Sequence, residues 1–113
     1  LSESRKGENS ELIRERVVRS RKVQEKRLKE HPGVHYNAQL NPKLIEEHCE
    51  IDETGKTLLK NAMEKMGLSA RSYARILKVS RTIADMEGAE KIQAQHLAEA
   101  IQFRSLDKDG WAA

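Results

Sequence analysis

Arg71, Arg75 and Lys78 recur at four- and three-residue spacing within Gly67-Leu68-Ser69-Ala70-Arg71-Ser72-Tyr73-Ala74-Arg75-Ile76-Leu77-Lys78. At about 100° per residue they share one face of a helix. Tyr73, Ile76, Leu77, Ser80, Ile83 and Ala84 fall on the other face, at the spacing of a buried stripe. Arginine's planar fork matches phosphate oxygens. Arg71 stands in the first turn, where the backbone already favours an anion. Arg71 and Arg75 also repel each other, by about a few tenths of a kcal/mol in an isolated helix. Two readings of this face are level on the residues alone: a phosphate site, and a solvated basic surface.

Other chemistry has less to stand on. There is no G-x-x-x-x-G-K-[ST], no G-x-G-x-x-G and no G-x-S-x-G, and nothing singles out one of the 18 carboxylates as catalytic. His31, His35, His48 and His96 are scattered, and the first two flank a Pro-Gly break that prevents i to i+4 geometry. His48 and Cys49 are adjacent, so they point about 100° apart on a helix. Zinc sites draw on tighter, paired spacings, and no metal ligands are expected. Cys49 is the only cysteine, so no intrachain disulfide framework exists, and a buried reduced thiol is expected.

The helix that carries Arg71 has a marked start. Gly67 suits a left-handed end to the preceding helix, Ser69 suits the N-cap, and Leu68 with Tyr73 occupy the two positions of a hydrophobic staple. Arg81 and Asp85 are spaced to pair one turn apart. Upstream, residues 1–9 read as a flexible lead-in. Ser10 to Glu30 reads as a highly charged helix with a thin stripe of Ile13, Val17, Ser20, Gln24 and Leu28. Cations such as Arg14, Arg16, Arg19, Arg21, Lys22, Lys26 and Arg27 surround that stripe, and Glu25 can pair with Lys29. The plain reading is a solvated helix docked by one narrow face. The sharper reading has Arg16, Arg19 and Lys22 touching nucleic-acid phosphates.

His31-Pro32-Gly33 ends that helix. Asn41-Pro42 opens the next as cap and first-turn proline, with Leu40 and Ile45 as its staple and Leu44, Ile45, His48 and Cys49 facing inward. Asp52 is a cap for a third helix to about Met66. Its apolar side is Leu58, Leu59, Ala62, Met63 and Met66, and Gly55 costs it about 1 kcal/mol relative to alanine. The Arg71 helix ends near Gly88. A last helix runs from about Ala94 to Phe103 with Leu97, Ala98 and Ile101 inward, and residues 107–113 form a frayed tail.

Composition agrees with an all-α unit of about five helices filling residues 10–106. Of the 113 residues 35% are charged and only 4% aromatic, with no strand pattern of period two. The 21 basic and 18 acidic residues leave a formal charge of +3, which permits a nucleotide or nucleic-acid partner without demanding one. No apolar run approaches the ~18 residues needed to span a bilayer, and no signal-peptide pattern is present. The expectation is a cytoplasmic piece of a longer protein.

Gly67-Leu68-Ser69-Ala70-Arg71, followed by Arg75-Ile76-Leu77-Lys78-Val79-Ser80-Arg81-Thr82-Ile83-Ala84-Asp85-Met86, resembles the C-terminal part of magnesium-chelatase-like AAA+ ATPases of the YifB/ComM type. The likeness continues through Ile92, His96-Leu97-Ala98-Glu99-Ala100-Ile101 and Arg104-Ser105-Leu106-Asp107. It is supported by Ile13-Arg14-Glu15-Arg16-Val17, Asn37-Ala38-Gln39-Leu40 and Cys49, and so covers about residues 7 to 108. Ser80 stands where the family often has alanine, and Lys108 where it often has arginine. A back-bond to the preceding turn would satisfy the Ser80 hydroxyl.

The resemblance implies a helical lid subdomain of an AAA+ module, packed over a nucleotide that a separate upstream core holds. It implies that Arg71 is the sensor-2 arginine that reaches the ATP γ-phosphate, with Arg75 a weaker candidate for the same pocket or a subunit contact. ATP and Mg2+ would belong to the full-length protein, since the Walker motifs would lie upstream, and this chain should not hydrolyse ATP alone. Relatives imply a homo-oligomer, a hexamer, acting on branched or single-stranded DNA. The alternatives are a DNA-binding helical module, and an interaction domain of a true magnesium chelatase complex.

Overall fold

The computed structural model describes residues 2–110, with side chains from 10 to 103. Its elements are α1 (Ser2–Arg27), a single 3-10 turn (Asn37–Gln39), α2 (Pro42–His48), α3 (Glu53–Met66), α4 (Ala70–Glu87) and α5 (Ala94–Gly110), with no strand among the described residues. The first helix therefore begins at Ser2, ahead of the expected Ser10, and α5 runs past Phe103 to Gly110. Residues 111–113 of the expected tail lie outside the described residues. No helix here is long and apolar enough to cross a membrane.

Local chemistry sets the helix ends. The Asn41 side chain accepts from Leu44 N at 2.9 Å and Pro42 takes the first turn of α2. Asp52 accepts from Gly55 N at 2.7 Å and caps α3. Gly67, at φ 61°, ends α3 in the left-handed region, where both it and Leu68 donate to Met63 O. Ser69 Oγ accepts from Ser72 N at 3.3 Å and starts α4.

α4 is the central element: α1, the 3-10 turn, α2 and α5 all contact it. That explains its wide buried arc. Ile76, Leu77, Ser80 and Ala84 are buried as expected, and Ser72, Arg81 and Asp85 join them. Ser80 Oγ donates to Ile76 O at 2.7 Å, the expected back-bond. Tyr73 departs from expectation. Although Leu68 packs against the core, Tyr73 stays 39% exposed, because it sits in the first turn, at the rim of a groove formed with Pro42, Ile45, Ala74 and Leu77.

Three further corrections follow from packing. In α1, Ser20, Gln24 and Leu28 are buried, but Ile13 and Val17 are exposed, so only the C-terminal half of the stripe docks. In α5 the inward residues are His96, Leu97 and Ala100, with Ile101 half-buried, whereas Ala98 is exposed. His96 takes the inner position because its Nδ1 accepts from Gln93 N at 2.9 Å, closing the start of α5. Gly55 is more than a weak point in α3. A Cβ there would lie 2.8 Å from Leu97 Cδ1, so glycine permits the close approach of α3 to α5.

Candidate functional site

The cap at Ser69 and the buried run from Ser72 to Ala84 fix the axis of α4. Arg71 projects from its first turn into solvent. Among the described residues no ion pair involves Arg71. Arg75, one turn on, is also exposed. Lys78 is not part of an open basic face: it is half-buried, and its Nζ donates to Ala38 O at 3.2 Å, tying α4 to the 3-10 turn. The face that holds charge outward at the head of α4 is thus Arg71 with Arg75.

Further along α4, toward its C-terminal end, lies a buried polar network that the sequence only partly discloses. Arg81 and Asp85 pair at 3.1 Å as their spacing suggests. Arg27, expected among the solvated cations of α1, instead turns inward and grips the same carboxylate with both guanidinium nitrogens at 2.6 and 2.8 Å. Asn37 Nδ2 donates to Asp85 Oδ2 at 2.9 Å, and Arg27 donates to Asn37 Oδ1 at 3.1 Å. Gln24 accepts from Asn37 N at 2.8 Å and donates to Ser20 Oγ at 2.8 Å. Arg81 also donates to the Ala89 and Glu90 carbonyls, fastening the loop between α4 and α5. Burial disfavours the charge on Arg81, and Asp85 offsets that effect. No local pattern links Arg27 to Asp85, which lie 58 residues apart.

The three cations named for nucleic acid are all exposed, but they do not converge on one groove. Arg16 lines a groove with Ile83, Met86, Glu87, Glu99 and Phe103. Arg19 and Lys22 line another with Arg14, Val18 and Val23.

The histidines divide as well. His35 is exposed and His96 serves α5. His31 and His48 come together, their ring centroids 5.9 Å apart. Burial lowers the pKa of His48, assisted by Arg27, His31 and Arg81 and opposed by Glu47. The next residue, Cys49, is buried, and its thiol is pushed up to about 11 by desolvation. Helical spacing does not disclose the meeting of His31 with His48, which depends on the path of the chain between α1 and α2.

Residues 7–104 match the family model for magnesium chelatase, subunit ChlI C-terminal. The competence protein ComM of Haemophilus influenzae is 44% identical over 101 residues, which cover 89% of this chain and 19% of that protein. The YifB proteins of Salmonella typhimurium and Escherichia coli are 37% and 35% identical over 103 and 102 residues, covering 91% and 90% of this chain and 19% of each. The chain thus spans about a fifth of the length of these curated relatives. With a five-helix fold and a family match over nearly its whole length, the chain belongs to the magnesium chelatase subunit ChlI C-terminal family, alongside the ComM and YifB proteins.

Proposed function

We propose that this chain is the C-terminal helical lid of a magnesium-chelatase-like AAA+ ATPase, and that Arg71 is its sensor-2 arginine. The observation that carries the reading is the position of Arg71: solvent-facing, without an ion pair among the described residues, in the first turn of a capped helix whose other face is anchored in the core. A side chain so placed moves with the lid as a rigid body. ATP and Mg2+ fit this chain only in part. It has no glycine-rich phosphate loop, so Arg71, with Arg75 behind it, is the arm this chain would add to a nucleotide held by the upstream core. Bound ATP would supply a terminal phosphate whose presence or loss changes the charge that Arg71 meets. A contact stronger in one nucleotide state than in the other favours one lid position. That difference would couple hydrolysis to remodelling of branched DNA by a cytoplasmic homo-oligomer, a hexamer.

The test is Arg71→Ala in the full-length protein. Turnover of ATP should fall roughly 10–100-fold, the equivalent of one charge-assisted hydrogen bond, while the oligomer still assembles. Wild-type turnover by an assembled Arg71→Ala protein would overturn the assignment.

A second reading, direct DNA binding, rests on the exposure of Arg14, Arg19 and Lys22 around one groove of α1. Binding of branched DNA by this chain, weakening steeply with salt and lost in the Arg19→Ala/Lys22→Ala variant, would support it. No binding at low salt would remove it.

A further inference from the structure

His31 lies in the turn after α1, and Glu47 and His48 close α2. Each offers one ligand atom, and the three atoms lie within 4.8 Å of one another. A second observation is independent of that proximity. His48 Nε2 is shielded from solvent and has no hydrogen-bond partner. Buried polar atoms in native proteins almost always have a partner, so an orphan of this kind calls for a ligand or another explanation. From the two together we propose that His31, Glu47 and His48 form a binding site for a divalent transition metal of the zinc class.

The donor set selects the ion. Two imidazole nitrogens and one carboxylate oxygen suit zinc, which commonly takes three protein ligands and leaves a fourth position for water. Magnesium favours oxygen ligands and keeps its own waters. Zinc bonds of about 2.0–2.2 Å place neighbouring ligands roughly 3.5 Å apart. Side-chain rotation through about 1 Å closes the observed spacing, and Glu47 is exposed and His31 half-exposed, so both have room to turn.

The surrounding charges are compatible with a cation. Arg27 and Arg81 lie near His48, but both guanidinium groups are engaged by Asp85. Glu47 provides the negative charge of the site itself. A bound ion would join the turn after α1 to the end of α2, and so brace the segment that carries Asn37.

The experiment is a zinc titration of the 113-residue chain, stripped with EDTA and competed against a chromophoric chelator. One equivalent should bind and resist a large excess of Mg2+. His31→Gln, Glu47→Gln and His48→Gln should each weaken binding by about tenfold or more, whereas His35→Gln should not. Co2+ in place of zinc should give visible absorption in the wild type that is lost in His31→Gln. Circular dichroism reads the fold of each variant. If His48→Gln unfolds, the two surface variants decide alone. Absence of zinc binding, displacement by Mg2+, or affinity unchanged in both His31→Gln and Glu47→Gln overturns the proposal.

Discussion

Asp85 of α4 receives both guanidinium nitrogens of Arg27, from α1, at 2.6 and 2.8 Å, and its side chain is wholly buried. The same carboxylate holds Arg81 and Asn37. Two guanidinium groups thus share one counter-charge, and four segments meet at it: α1, the 3-10 turn, α4 and, through Arg81, the loop before α5. A planar bidentate pair fixes orientation as well as distance, so this contact sets how α1 lies across α4.

Asp85→Asn is nearly the same size but removes the charge. It leaves Arg27 and Arg81 largely buried without compensation, and is expected to cost about 3–5 kcal/mol. Urea unfolding followed by circular dichroism measures this. A loss below 1 kcal/mol on the same test, which is about what an exposed pair contributes, would show that the network does not carry the α1–α4 contact.

Gly55→Ala sets two effects against each other. Alanine improves the intrinsic helix propensity of α3 by about 1 kcal/mol. The new methyl would press on Leu97 Cδ1 at 2.8 Å, in a side chain with no exposure, and overpacking of that kind costs about 1–3 kcal/mol. The contact should win, giving a net loss of about 1 kcal/mol in denaturant unfolding. A paired Leu97→Ala change should make Gly55→Ala neutral or favourable, since it opens the space.

Arg71 and Ser69 should separate stability from activity. Arg71→Ala removes an exposed side chain and should change unfolding free energy by less than about 0.5 kcal/mol. Ser69→Ala removes the cap of α4 and should cost about 1 kcal/mol. If Arg71 has the proposed sensor role, the order should reverse in the full-length protein: ATP turnover should suffer more from Arg71→Ala than from Ser69→Ala. Equal losses of turnover would mean that the integrity of the helix, rather than the guanidinium, governs the rate.

Cys49 is 3% exposed at the end of α2, beside the core. In the native protein it should resist iodoacetamide and react at the rate at which the chain opens. Labelling should therefore accelerate in step with unfolding in urea, and Asp85→Asn should speed it in the absence of denaturant. Prompt labelling of the native wild type would contradict the burial.

The sequence by itself determined what depends on neighbours within a turn or two. Asn41, Asp52, Gly67 and Ser69 end or begin helices because a side-chain oxygen or a left-handed glycine satisfies backbone groups only a few residues away. The back-bond of Ser80 and the Arg81–Asp85 spacing are local in the same sense. The family likeness covers Arg71, and its exposure follows from facing away from the apolar stripe of α4.

Tertiary structure decided which charged residues lie inside. Hydrophobicity placed Arg27 outside and Tyr73, Ala98, Ile13 and Val17 inside, because it weighs each residue against its own helix. The charges go inward where partners from other helices replace their water, and the apolar groups stay out where no neighbouring element reaches them. Gly55 against Leu97, and His31 against His48, are likewise meetings across chain distance. A helix's pattern reveals which face can be buried; which groups find partners there depends on how the other helices cross it.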